Sequence, residues 1–196
     1  MRMKITYNSP VVLTFSILSV GLYFLNSLLA NALDPILILQ PTFDNQSISN
    51  YVALFTYTLG HADTAHLLGN MSLFLILGPI IEEKYGSRSL FFMMLVTALI
   101  TALFQISMFS YGLMGASGIV FMLIILSSFT KTEKGGIPLT FLLVIALYLG
   151  TEIVKSFQAD QISQFAHIIG GLIGSVFGFV ARKKQVYVQV VDQRPL

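Results

Sequence analysis

The chain has no cysteine and no tryptophan, and of its 196 residues only 9 are acidic and 11 basic. The absence of cysteine excludes a disulfide framework, a thiol nucleophile and any zinc–thiolate site. A net charge of +2 offers no electrostatic basis for binding nucleic acid. Charged residues make up 10% of the chain, against about 25% in soluble domains. What is abundant is apolar: 55% of residues are hydrophobic and the mean hydropathy is +0.80. A chain this short cannot bury that much apolar surface away from water. The composition describes a polytopic membrane protein.

Charge-free runs place the spans. No charge lies between Lys4 and Asp34, and residues 11–30 form the first span. Residues 64–81 form the second. Ser89 to Thr130 carries no charge, a length that suits two helices of roughly 20 residues each. Serine, tyrosine and glycine cluster between Ser107 and Gly118, so the third and fourth spans are expected at 89–108 and 116–130. Gly135, Gly136 and Pro138 mark a turn. The fifth and sixth spans follow at 138–155 and 163–181. The expected fold is all-α, a six-helix membrane bundle, because a helix satisfies its own backbone in lipid. It forms one membrane domain, 1–184, followed by a short cytoplasmic tail, 185–196, without regular structure.

The basic residues test this count. Ten of the 11 fall at one set of helix ends, and only Lys155 falls at the other. Such a bias puts the basic ends, and with them both termini, in the cytoplasm. The loop over residues 32–63 then faces outward and contains no Lys or Arg. A cleavable leader is the rival reading of the N-terminus, since Arg2 and Lys4 precede an apolar stretch and Ala30-Asn31-Ala32. The apolar stretch is longer than the roughly 7–15 residues of a signal core, which favours a retained span.

Polar residues inside such spans are costly and mark function. Ser117 lies in Gly115-Ala116-Ser117-Gly118, and His167 in Ala166-His167-Ile168-Ile169-Gly170. A serine and a histidine are the minimum parts of nucleophilic catalysis. Alone, Ser117 reads as a small packing residue and His167 as a hydrogen-bonded structural one. Their surroundings change that. Gly115 and Gly118 permit close backbone approach. Ser117 starts a helix, where free N–H groups favour developing negative charge. Gly170, Gly174 and Gly178 share one helix face with His167, suited to tight packing. His66 and Asn70, four apart, share a face of the second span and are candidate oxyanion donors. His61 and His66 are five apart and do not share a face well, and the chain has no His-Glu-x-x-His pattern. No metal and no cofactor is expected.

Three motifs in order, His-x-x-x-Asn (His66, Asn70), Gly-x-Ser-Gly (Gly115, Ser117, Gly118) and Ala-His-x-x-Gly-x-x-x-Gly (Ala166, His167, Gly170, Gly174), resemble those of the rhomboid intramembrane serine proteases. The resemblance extends over about 11–181, and includes Glu82-Glu83-Lys84-Tyr85-Gly86-Ser87 at the end of the second span and His61 just before His66. It implies Ser117 as nucleophile, His167 as general base and then acid, and His66, Asn70 and the Ser117 N–H as oxyanion donors. It implies membrane-anchored protein substrates, a bacterial inner-membrane location and a water-filled cavity opening outward. Two departures stand out. Phe121 occupies the place of a tyrosine that stacks on the catalytic histidine. Val52-Ala53 stands where many members carry a Trp-Arg pair in the first loop.

Other classes fit less well. An inactive relative would lack the serine or the histidine. A transporter would show mid-span charges or inverted repeats. An aspartyl intramembrane protease needs two aspartates within helices, whereas the acidic residues here lie in loops or at span ends.

Overall fold

The computed structural model describes residues 6–129, 137–149 and 164–192, and the described residues are helical apart from loops and one isolated β-bridge. Helix α1 is Pro10–Leu28, α2 Asp34–Leu37, α3 Ile48–Thr56, α4 Thr64–Tyr85 and α5 Ser87–Met108. Helix α6 is Ser117–Ser127, α7 is Leu139–Val144 followed by a π-helical turn Ile145–Leu149, and α8 is Gln164–Asp192. The Gly135-Gly136 turn, the end of the fifth expected span and Lys155 lie outside the described residues.

Three of these helices, α1, α4 and α5, are long and apolar enough to cross a bilayer. The fourth expected span is shorter than 116–130: α6 has 11 residues. At about 1.5 Å per residue it reaches roughly halfway across a 30 Å hydrocarbon core. The sixth is longer than expected. Helix α8 runs on to Asp192, so residues 185–192, expected as an irregular tail, continue the helix; no Gly or Pro interrupts the sequence there. The first loop holds α2, α3 and a 3₁₀ turn Tyr57–Leu59.

Helix α6 sits at the centre. Gly118 to Leu126 are all buried, as expected of a helix that is apolar all round. The outer helices turn large apolar side chains outward, among them Ile17 and Phe24 on α1, Ile76 on α4 and Phe92 on α5. That surface is suited to lipid. The non-helical segment between α5 and α6 starts exposed, at Ser110 to Gly112, and then turns into the protein, with Leu113, Gly115 and Ala116 buried. Irregular backbone at membrane depth is tolerated only in such a setting. It is tied to the first loop by a two-way bridge: Leu39 N–H donates to the Leu113 carbonyl at 2.9 Å and Leu113 N–H to the Leu39 carbonyl at 3.0 Å.

The ends of the helices are fastened by charge. The buried carboxylate of Glu82, in the last turn of α4, accepts from the N–H groups of Val11 and Val12, both at 3.1 Å. These are orphan donors of the first turn of α1, and a negative group there also complements the helix dipole. Lys84 donates to the Phe129 carbonyl just beyond α6. Glu82→Ala should therefore lower stability by about 3 kcal/mol, since bonds to a charged group are worth 1.5–3 kcal/mol each. Thermal unfolding in detergent measures this, and a midpoint unchanged from wild type would contradict it.

Candidate active site

Helix α4 begins at the site. The Asp63 side chain caps it, accepting from the His66 N–H at 2.8 Å. Capping pins the first turn, and so sets where His66 and Asn70 leave the helix. Asn70 is buried, and its side-chain Nδ2 has no hydrogen-bond partner. An unpaired buried amide costs about 1–3 kcal/mol, a cost that a ligand oxygen at that point would remove.

Both side chains meet the segment before Ser117. Gly115 has φ +123°, outside the range that other residues adopt easily. Its N–H donates to the Tyr57 carbonyl at 2.9 Å. A Cβ at Gly115 would stand 2.6 Å from Cε1 and 2.8 Å from Nε2 of His66, and 3.7 Å from Nδ2 of Asn70. Glycine here thus serves two needs, the positive φ and the close approach of the imidazole. Two residues on, Ser117 is the first residue of α6, with the N–H groups of that helix start unpaired by the helix itself.

Helix α8 brings His167 to the same place. Its contact with α6 is the most extensive between any two helices among the described residues. The glycine face is the reason. A Cβ at Gly118 would lie 3.2 Å from the Ala166 carbonyl oxygen, one at Gly174 would lie 2.6 Å from that of Met122, and one at Gly170 would clash with the Gly118 carbonyl. Phe121, one turn into α6, stacks flat on His167 with ring centroids 4.3 Å apart and planes 5° from parallel.

A cavity of about 700 Å³ results, and its walls include His66, Asn70, Ser117, Phe121 and His167. Three separate stretches of sequence thus meet in one place. Gly115, Gly118, Gly170 and Gly174 do not shape it by their own surfaces but by the closeness they permit. His61 stands behind the wall, edge-on to His66 at 5.2 Å between centroids. Its Nδ1 lies 3.2 Å from the Leu59 carbonyl. A carbonyl only accepts, so Nδ1 carries the proton and the buried, unpartnered Nε2 is the free acceptor.

Burial, then the neighbouring His66, lowers the His61 pKa from 6.5 to about 4. A histidine whose folded pKa is depressed binds fewer protons folded than unfolded between those values. Stability is then complete above about pH 6.5 and declines as the pH falls toward 4. We expect the unfolding midpoint in detergent to fall across that window, and the fall to be shallower in His61→Gln. Identical slopes for the two proteins would refute the assignment.

Several residues of the site were not legible as such. Tyr111 and Met114 line the cavity from the segment before α6, where no pattern marks them. Asp63 could have been found: an acidic residue followed by Thr-Ala-His-Leu-Leu is a helix-start signal.

A helical membrane protein that gathers a serine, two histidines and an asparagine around one cavity has the make-up of an intramembrane serine protease. The comparisons agree. The model of the rhomboid domain matches residues 49–184, so the chain belongs to the rhomboid family. The rhomboid protease GlpG of Haemophilus influenzae is 25% identical over 146 residues, which cover 73% of this chain and 76% of that protein. The chain is an intramembrane serine protease. Helix α1 precedes the part matched by the family model.

Proposed function

We propose that Ser117 and His167 form a catalytic dyad that cleaves membrane-anchored proteins within or near their transmembrane segment. The observation that carries this reading is the shared cavity, with Ser117 and His167 on facing helices and the Asn70 amide unpaired beside them. His167 takes the proton of Ser117 Oγ as the oxygen attacks the scissile carbonyl carbon. The tetrahedral oxyanion lies against His66, Asn70 and the Ser117 N–H, donors held in place before the charge develops. His167 then protonates the departing amine, leaving an acyl-enzyme. A water, activated by His167, hydrolyses that ester and restores Ser117. Phe121, flat against His167, holds the ring plane through this cycle without a hydroxyl of its own.

In this reading the bundle has six spans, both termini are cytoplasmic, and the cavity opens outward in the plasma membrane. The short α6 supports that placement, because its first residue stands near mid-depth and leaves room above it for water. The substrate helix has to unwind at the cut, since its carbonyls are otherwise held in i→i−4 bonds.

A fluorophosphonate probe, mapped by mass spectrometry, should label Ser117, and labelling of another serine would refute the assignment. Asn70→Ala should lower kcat by roughly 10²–10³-fold, as loss of an oxyanion donor does, with KM little changed. A raised KM at unchanged kcat would assign Asn70 to substrate binding instead.

A further inference from the structure

A second cavity lies on the other side of α6. It measures about 430 Å³ and opens between α1 and α5, beneath the segment Phe55–Leu59. Ile119 forms part of its wall. At about 100° per residue, Ile119 points away from Ser117 and Phe121, which line the first cavity. We propose that this second cavity holds one acyl chain of a bilayer phospholipid.

The chemistry of the wall supports this. Apart from three threonines the lining is apolar: Phe15, Leu18, Phe91, Met94 and Ala98 face it with Ile119. The three hydroxyls already have partners. Thr14 pairs with the Tyr7 hydroxyl at 2.9 Å, Thr58 donates to the Phe55 carbonyl at 2.7 Å, and Thr56 is engaged by the Ile36 and Val52 carbonyls. Water held in a cavity needs two to four polar partners, and here the wall offers little beyond the spare capacity of three hydroxyls that are already engaged. An unfilled space of this size would forfeit the dispersion contacts of every wall atom. The volume falls in the range of ligand pockets, about 300–1,000 Å³.

The occupant follows from where the mouth lies. Leu18 on α1 and Phe91 on α5 are 48% and 53% exposed, and both helices are spans. The mouth is therefore continuous with the lipid-facing surface, and the only apolar groups in bulk beside it are acyl chains. The cavity is an inward fold of the protein–lipid interface, deep enough for a chain to reach Ile119.

Photocrosslinking tests this. The protein is reconstituted in vesicles of phosphatidylethanolamine and phosphatidylglycerol doped with a phosphatidylcholine bearing a diazirine in one acyl chain. After irradiation, adducts are mapped by mass spectrometry. Met94 and Ile119 are 4% and 2% exposed, beyond reach of annular lipid, whereas Ile76 is 63% exposed. Adducts are expected at Met94 or Ile119 as well as at Ile76. Ala98→Leu, which fills the space, should lose the buried adducts and keep that at Ile76, with fluorophosphonate labelling reporting an intact fold. Wild-type adducts confined to exposed residues would overturn the proposal, whatever the variant does. So would buried adducts that persist in a folded Ala98→Leu protein.

Discussion

Ser117→Ala is expected to reduce cleavage of a membrane-anchored substrate by about 10³–10⁶-fold, with His167→Ala falling as far and the double variant no further. The shared floor follows from the mechanism. A nucleophile without its base is a neutral hydroxyl, and a base without its nucleophile has no proton to take. Each deletion therefore removes the same step, and the losses do not add. What rate survives comes from positioning and from the His66 and Asn70 donors, which both variants keep. Ser117 is half-buried on a cavity wall rather than packed in the core. Its truncation should leave the unfolding midpoint in detergent near that of wild type, which separates lost chemistry from lost structure. Cleavage by Ser117→Ala at the wild-type rate would end the dyad assignment. Additive losses in the double variant would show that the two side chains act independently.

Gly170→Val is expected to separate α8 from α6 and to abolish both stability and activity. A Cβ at position 170 would clash with the backbone carbonyl of Gly118. Backbone cannot rotate away as a side chain can, so the whole helix has to move. Overpacking in a core commonly costs about 1–3 kcal/mol, and a branched side chain against backbone belongs at or above the top of that range. The movement also carries His167 away from Ser117, because Gly170 and His167 share one turn of α8. Fluorophosphonate labelling should then be lost together with the unfolding transition. Gly174→Ala should be milder, with the Met122 carbonyl 2.6 Å from the added carbon. Leu172→Ala, on the exposed face of the same helix, should stay within about 0.5 kcal/mol of wild type. A Gly170→Val protein as stable as Leu172→Ala would refute this account of the interface.

Much of this was legible beforehand. Charge-free runs marked the long helices because lipid admits few charges, and α1, α4 and α5 lie where those runs do. His66 and Asn70 were legible as a pair because four residues make one helical turn. The glycine face of α8 was legible for the same reason. Three things were not. The length of α6 depends on where the chain after α5 turns back into the protein, and apolar composition is the same in a half-span and a full one. The cap that Glu82 places on α1 joins residues 70 and 71 positions apart, and no local pattern encodes such a distance. The helical continuation to Asp192 runs through a mixed, charged stretch that carries neither a span signal nor a stop.

By itself the sequence determined the medium, the helical class and the residue types available for chemistry. These follow from transfer energies and backbone hydrogen bonding, which act locally along the chain. Only the tertiary structure decided that α8 lies on α6 and that the His66 ring rests against Gly115. It alone set Phe121 flat on His167, and it left an apolar gap between α1 and α5. Each of those depends on which backbones can approach within a Cβ of one another, and that is a property of pairs of surfaces distant in the chain.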